Sequence, residues 1–138
     1  MALILDTGPV FATLDRRDAG HASCRRLITE TNESLIIPSP VIVEVEQLLR
    51  RYAYPSLFVN FLRDIEDGAY SIADLEPTDY ARVREICDRY SDAQVGFVDA
   101  AVMAIVERLN EPKLATLDRR HFGLMRPRHI DSLRLLPE

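Results

Sequence analysis

The amino-acid sequence predicts an α/β fold in which helices pack against a mainly parallel sheet. Short apolar runs, each ended by turn residues or an acid, alternate with longer segments of helical periodicity. This alternation is typical of strand–helix–strand units around a buried parallel sheet. The chain has 138 residues, of which 47% are hydrophobic and 28% are charged, so we expect residues 1–138 to form a single domain.

The predicted strands are apolar runs that are too short to be helices. Residues 3–5 are followed by a turn sequence that begins at Asp6, and residues 35–37 are followed by Pro38. Buried strands are therefore predicted at both places. Further strands are predicted over residues 114–117 and 133–136, with a possible short strand at 71–73.

Helical periodicity fills the segments between these strands. Ser39 and Thr78 are expected to cap the helices that follow them, and Pro40 is expected to open one. The segment 97–109 is almost wholly apolar, which predicts a central helix. Six helices are predicted: one through Val10, Phe11 and Leu14, one from about residue 19 to 30, and four over residues 41–52, 55–66, 78–90 and 97–109.

The predicted helix over residues 55–66 carries apolar side chains on more than one face. The apolar side chains do not fit on a single stripe facing the core; they are Leu57, Phe58, Val59, Phe61, Leu62 and Ile65. A second apolar face is typical of a contact with another protein. We therefore expect a partner or a second copy of the chain to bind there.

Cysteine usage and hydropathy exclude several classes of protein. Cys24 and Cys87 lie far apart, with no further Cys or His at ligand spacing, so we expect reduced core residues and neither a zinc site nor a disulfide framework. No apolar run approaches the roughly 20 residues of a membrane helix, and Asp6 interrupts the first run. These observations predict a cytoplasmic protein with no membrane association.

Three aspartates occupy positions where a ligand site is expected. Asp6 and Asp118 directly follow predicted strands, so both should lie in the crevice beyond the carboxyl ends of a parallel sheet. Asp99 is the only ionisable residue in the apolar segment 97–104. The alternative for each is a structural role, as a turn residue or an N-terminal helix cap.

A glutamate from the helix over residues 41–52 is a further candidate. Glu44 and Glu46 lie at opposite edges of the apolar arc of this helix, and the helical wheel does not choose between them. Clustered carboxylates are costly unless a divalent cation neutralises them. Oxygen ligands with no Cys or His at hand select Mg²⁺ or Mn²⁺ rather than zinc, so a metal-dependent phosphodiesterase is plausible despite the net charge of −5.

An internal repeat surrounds one of these acids. The string ATLDRR at 12–17 recurs letter for letter at 115–120, but the flanking sequences differ. The first copy continues a helical pattern, whereas the second ends a strand-like run. We therefore interpret the repeat as coincidence and expect Asp118, rather than Asp15, to carry chemistry.

The chain resembles the PIN-domain ribonucleases, and specifically the VapC-type toxins of bacterial toxin–antitoxin pairs. The resemblance covers nearly the whole chain in order. It rests on the segments ILDT at 4–7, SPVIVEV at 39–45, GFVDA at 96–100 followed by an alanine-rich helix, and ATLDRRHF at 115–122.

This resemblance implies a Rossmann-like three-layer α/β/α sandwich. It also implies a metal-dependent endoribonuclease that uses Mg²⁺ or Mn²⁺, cleaves RNA, binds a cognate antitoxin and forms a homodimer. Its acidic site would consist of Asp6, Glu44, Asp99 and Asp118, which selects Glu44 over Glu46.

The resemblance further assigns supporting residues. Thr7 would position a metal-bound water and Thr116 would support the strand end, while Arg119, Arg120 and His121 would contact phosphate. For these last three residues the alternative is surface charge and a helix-start histidine. Some relatives carry a fifth acid before the third motif. Val95 and Gly96 occupy that stretch here and Asp92 lies further off, so no fifth ligand is expected.

Other functions are possible on the same kind of sheet. A receiver domain would need paired acids after its first strand and a nearby lysine, but the chain has a lone Asp6 and only Lys113. A haloacid-dehalogenase-like phosphatase would need a second Asp where Gly8 stands. The remaining alternative is a PIN-like protein with weak or lost catalysis that acts mainly as a complex-forming binding module.

Overall fold

The computed structural model describes residues 1–138, whose strands are all parallel. The strands are β1 (Ala2–Ile4), β2 (Ser34–Pro38), β3 (Ser71–Ala73), β4 (Lys113–Ala115) and β5 (Arg134–Leu136). Three strands pair in the order β1-β2-β3, and β4 pairs with β5. A parallel bridge between Leu5 and Ala115 joins β1 to β4, which gives the continuous order β3-β2-β1-β4-β5.

Helices connect the strands and cover the sheet. Leu3, Ile4 and Leu5 are consecutive and all fully buried, so both faces of the central strand are covered. The predicted α/β sandwich with a parallel sheet is therefore confirmed. The helices are α1 (Thr7–Leu14), α2 (His21–Glu30), α3 (Ser39–Tyr52), α4 (Pro55–Glu66), α5 (Asp79–Arg89), α6 (Phe97–Arg108) and α7 (Arg119–Leu124), with a 3₁₀ turn at Ser91–Ala93.

The core is centred on α6, as its apolar sequence predicted. Every residue from Ala100 to Val106 is buried, and α6 packs against α3, α5 and β2. Two ion pairs tie α5 to the polar end of α6. Arg82 donates to both carboxylate oxygens of Glu107 at 2.8 and 2.9 Å, and Arg108 donates to Asp79 at 3.0 Å.

Both predicted side-chain caps are wrong. The helix expected to follow a Ser39 cap begins at Ser39 itself, and Pro38 is the residue before it. Thr78 has a helical backbone conformation and makes no capping bond. The carboxylate of Asp79, the first residue of the helix, accepts the backbone N–H of Glu76 at 2.9 Å and so stabilises the turn that precedes the helix.

Several boundaries differ from the predicted ones by one or two residues. The strand predicted over 114–117 ends at Ala115, although the backbone N–H of Thr116 still donates to the carbonyl of Leu136 at 2.9 Å. The helix expected from about residue 19 begins at His21. The six-residue α7 was not predicted, since it is too short for a periodic pattern.

The second apolar face of α4 is smaller than the sequence suggested. Phe61 is fully buried and packs against Phe58 and Tyr70, with ring centroids 6.1 and 5.7 Å away. Phe61 is therefore a core residue, and the prediction that it forms a binding surface is wrong. The exposed apolar side chains of this helix are Val59 and Leu62.

The two cysteines differ in burial. Cys24 is buried, Cys87 is half-buried, and both are free. None of the helices is both long and apolar enough to cross a membrane.

Candidate metal centre

Asp6 stands where β1 turns into α1, in the crevice predicted for it. Its backbone N–H donates to the carbonyl of Ala115 at 2.9 Å, and its Oδ2 accepts the hydroxyl of Thr116 at 2.8 Å. The side chain is only 4% exposed in a crevice it shares with other acids, and its Oδ1 has no hydrogen-bond partner. The pKa of Asp6 is raised to about 7, chiefly by burial and to a smaller extent by the charges of Asp99 and Glu44, which together outweigh the hydrogen bonds that lower it.

Asp99 lies in the first turn of α6, with its side chain directed to the same crevice. The residue at the cap position is Gly96, and no side chain caps this helix, so the structure does not support the alternative of a capping Asp99. Burial and then the charge of Asp118 raise the pKa of Asp99, while His121 opposes the shift. Its Oδ2 lies 2.9 Å from His121 Nδ1.

Asp118 follows β4 and combines a structural contact with a position in the crevice. Its Oδ1 accepts the backbone N–H of His121 at 3.0 Å, which caps α7. Its backbone N–H donates to Thr116 Oγ1 at 3.0 Å. Its other oxygen, Oδ2, lies 2.9 Å from His121 Nδ1 and remains directed toward Asp99. Capping therefore occupies only one of the two carboxylate oxygens.

Thr116 connects the two aspartates that follow strands. Its hydroxyl donates to Asp6 and accepts from the N–H of Asp118, so both hydrogen-bonding roles of the group are used. The side chain is fully buried. The hydroxyl of Thr116, to which the resemblance assigned a supporting role, therefore contacts both aspartates.

His121 lies within the acidic cluster. Its Nδ1 is 2.9 Å from both Asp99 Oδ2 and Asp118 Oδ2, and its Nε2 is 3.0 Å from the carbonyl of Ala93. Burial lowers the pKa of His121, but the hydrogen bond to Ala93 and the charges of Asp118 and Asp99 outweigh it and raise the pKa above its ordinary value. Sequence reasoning assigned His121 to phosphate and missed these contacts. The sequence did contain a signal for the contact with Asp118, because residues three apart at the start of a helix lie close together.

The structure distinguishes the two glutamates of α3. Glu44 is half-buried, and its charge makes the smallest of the contributions that raise the pKa of Asp6 and of Asp99, so it lies within electrostatic range of both. Glu46 instead forms an ion pair with Arg50 one helical turn away. Of these two glutamates, Glu44 is therefore the one whose charge acts on the aspartates.

The other residues named from the sequence occupy different surroundings. Thr7 is buried beside Asp6, and its hydroxyl has no hydrogen-bond partner. Arg119 and Arg120 are exposed at the start of α7, where Arg119 donates to the carbonyl of Pro137. Asp92 is exposed on the 3₁₀ turn.

The two copies of the ATLDRR string have different structures. Asp15 ends α1, and its carboxylate accepts both the backbone N–H and the Nε of Arg17 at 3.1 Å. The hydrogen bond from Arg17 lowers the pKa of Asp15. Asp118 instead follows a strand and faces Asp99. The identical strings therefore do not mark a duplicated structural unit.

The donor set fits a divalent cation. Asp99, Asp118 and His121 each offer a ligand atom within 4.8 Å of one another. The buried Oδ1 of Asp6 and the hydroxyl of Thr7 have no partner in the protein, although buried polar atoms are normally hydrogen-bonded. Carboxylates held together in this way repel one another unless a cation lies between them. A bound cation would reduce the repulsion between the carboxylates and would give the unpaired oxygen of Asp6 a partner.

Comparison with known proteins defines the class to which this fold and site belong. The PIN domain family model matches residues 3–125, and the chain belongs to the PIN-domain family. The resemblance seen in the sequence motifs is thereby confirmed.

Individual relatives are VapC proteins. The chain is 27% identical over 125 residues to ribonuclease VapC26 of Mycobacterium tuberculosis, a match that covers 91% of this chain and 93% of that protein. Its fold is similar to that of M. tuberculosis VapC20, described as a toxin that cleaves the sarcin-ricin loop, with a TM-score of 0.80, 17% identity and coverage of 88% and 93% of the two chains.

A solved complex of a related type also matches. The similarity to the structure of VapBC2 from Rickettsia felis bound to a DNA fragment from its promoter has a TM-score of 0.68 at 18% identity. It covers 98% of this chain and 97% of that one. At such identities these structures establish the fold.

Proposed function

We propose that this PIN-domain protein is a metal-dependent endoribonuclease that acts as the toxin of a toxin–antitoxin pair. The observation that carries the proposal is the cluster of Asp99, Asp118 and His121, whose ligand atoms lie within 4.8 Å of one another. Asp6 and Glu44 lie within electrostatic range of Asp99, and the pKa of Asp6 is raised to about 7, chiefly by burial. Burying acids together sacrifices stability, which is typical of a functional site rather than a structural one. The relative named ribonuclease VapC26 supports RNA as the substrate.

Asp6, Glu44, Asp99 and Asp118 would hold Mg²⁺ or Mn²⁺. When bound, such an ion lowers the pKa of water and stabilises the leaving oxygen of a phosphodiester. The residues of the chain position the ligand atoms. Thr116 fixes Asp6 Oδ2 through its hydroxyl, so that the unpartnered Oδ1 is the oxygen left for a ligand.

Thr7 and the α7 arginines would act on the substrate side. The hydroxyl of Thr7 is buried and unpartnered beside Asp6, so it would hold a water at the centre. Arg119 and Arg120 are exposed beside Asp118 and carry the charge that phosphate contacts require. We assign RNA backbone binding to these two arginines.

A groove between α3 and α4 supports a protein partner. Ile42, Val43 and Phe58 contribute apolar surface to a groove of about 320 Å³, with Glu46 and Arg50 at its rim. The toxin–antitoxin complexes with the same fold support an antitoxin as one occupant. We also propose that this face forms the contact of a homodimer. The protein would act in the cytoplasm.

Incubation with RNA separates the enzyme from the alternative of a complex-forming module. The purified protein is incubated with total RNA in Mg²⁺, in Mn²⁺ and in chelator, and the products are separated on a gel. We expect discrete fragments with either ion and intact RNA with chelator. Intact RNA under all conditions, from a folded protein that binds the ion, would instead favour the binding module.

A further inference from the structure

The ring orientation of His121 is fixed by the carbonyl of Ala93. A carbonyl oxygen only accepts hydrogen bonds, so Nε2 at 3.0 Å must carry the hydrogen. Nδ1 is then the ring atom that faces the carboxylates. A backbone carbonyl on one ring nitrogen is the usual arrangement that directs the other nitrogen of a histidine toward a metal.

The distances around Nδ1 match the spacing of ligands on one ion. Nδ1 lies 2.9 Å from Asp99 Oδ2 and 2.9 Å from Asp118 Oδ2. Adjacent ligands of an octahedral ion with bonds of about 2.1 Å are about 3.0 Å apart. The three atoms therefore need little movement to share a cation.

A second observation at the same crevice also indicates a ligand. The Oδ1 atom of Asp6 is buried and has no hydrogen-bond partner. Asp6 lies close enough to Asp99 for the two charges to interact. An additional oxygen ligand is thus available beside the Asp99, Asp118 and His121 cluster.

We propose that His121 Nδ1 is a direct ligand of the bound cation, and that this nitrogen makes the site prefer a first-row transition-metal ion such as Mn²⁺ over Mg²⁺. The inference rests on the proposed metal-dependent function and specifies the ligand set of the same site. Mg²⁺ takes oxygen ligands and keeps its waters, whereas sites with nitrogen ligands bind transition-metal ions more tightly.

Pulsed electron paramagnetic resonance of the Mn²⁺-loaded protein tests the nitrogen ligand directly. We expect the ¹⁴N coupling of a directly bonded nitrogen, which changes to the ¹⁵N pattern when the histidines carry ¹⁵N. His121→Ala should abolish the coupling. His21→Ala is the matched control, because His21 bonds the carbonyl of Ala12 away from the acids, and it should keep the coupling.

Binding measured by calorimetry gives the selectivity. The ratio of Mn²⁺ to Mg²⁺ affinity should fall at least about tenfold in His121→Ala, a change of the size that outer-shell substitutions already produce. It should stay at the parent value in His21→Ala. An unchanged ratio in His121→Ala would contradict the proposed selectivity.

The outcomes separate this inference from the proposed function. If the parent cleaves RNA with Mn²⁺ but the bound ion shows no histidine coupling, or if no Mn²⁺ binds, His121 is not a ligand. If the coupling is present and RNA stays intact, the ligand assignment holds and the ribonuclease proposal fails. The labelled parent decides the first question even if His121→Ala does not fold.

Discussion

Thr116 and Asp6 lie 110 residues apart in the chain and are joined by a buried hydrogen bond of 2.8 Å. The same hydroxyl accepts the backbone N–H of Asp118 at 3.0 Å. One side chain therefore sets the positions of two aspartates that follow neighbouring strands. The geometry of the crevice depends on this hydroxyl as well as on the acids.

Thr116→Val tests this connection, because it keeps the shape of the side chain and removes both hydrogen bonds. The carboxylate of Asp6 and the N–H of Asp118 would lose their partner. We expect the free energy of unfolding, measured by urea denaturation, to be about 1 to 3 kcal/mol lower than that of the parent. Thr13→Val is the control, since it removes only a bond to the carbonyl of Pro9 within α1. Equal losses in the two variants would show that Thr116 has no special structural role.

The raised pKa of Asp6 predicts how stability varies with pH in chelator. Between the ordinary pKa of 3.8 and the folded value of about 7, folded Asp6 carries a proton that the unfolded chain has lost. The free energy of unfolding therefore decreases as pH rises through this window, by at most about 1.4 kcal/mol per pH unit from this group. Asp6→Asn should lack this contribution.

Urea unfolding of the parent and of Asp6→Asn from about pH 4 to 7 measures this pH dependence. The difference between their free energies of unfolding gives the contribution of Asp6. The curves should diverge, with the parent losing stability relative to Asp6→Asn as pH rises. Parallel curves would mean that Asp6 is not buried as the structure has it. Saturating Mn²⁺ should reduce the divergence, because the ion stabilises the carboxylate.

Asp99→Asn should be neutral or stabilising in chelator. Burial and the charge of Asp118 raise the pKa of Asp99, so the neutral side chain relieves an electrostatic cost. Mn²⁺ should raise the melting temperature of the parent, and that of Asp99→Asn much less. Asp92→Asn, at an exposed acid on the 3₁₀ turn, is the control and should respond to Mn²⁺ like the parent. A clearly destabilised Asp99→Asn that still gains as much as the parent from Mn²⁺ would make Asp99 a structural residue.

Phe58→Glu should weaken antitoxin binding or self-association, because Phe58 lines the groove between α3 and α4 with Val43. Light scattering with and without antitoxin measures the assembly, and a thermal melt checks the fold. Leu124→Glu, at an exposed apolar residue of α7 outside this groove, should leave assembly unchanged. The groove is not the binding surface if folded Phe58→Glu assembles like the parent. Phe61→Glu is not a suitable test of this surface, because Phe61 is fully buried.

The fold was largely predictable because parallel strands are buried on both faces and read as short apolar runs between helices. Asp6 and Asp118 were found by their positions after such strands, and Asp99 by its isolation in an apolar helix. These signals are local in sequence. They required no knowledge of how the segments pack.

The remaining features depend on tertiary contacts. The wheel did not choose between Glu44 and Glu46, since the choice depends on which edge of α3 faces Asp6 and Asp99. His121 contacts Ala93 across 28 positions of sequence, and no periodic pattern reports such a contact. Phe61 packs against Tyr70, which lies outside α4, and a helical wheel does not show such a contact.

The most direct test of the account is the rate of RNA cleavage by Asp6→Asn compared with Asp15→Asn in Mn²⁺. Both replace a buried aspartate by its amide, but Asp15 bonds Arg17 at the end of α1 whereas Asp6 lies among the acids of the crevice. We predict at least about a hundredfold slower cleavage in Asp6→Asn, the size of effect found when a group that stabilises the transition state is removed, and the parent rate in Asp15→Asn. Cleavage by folded Asp6→Asn at the parent rate would contradict the assignment of this crevice as the active site.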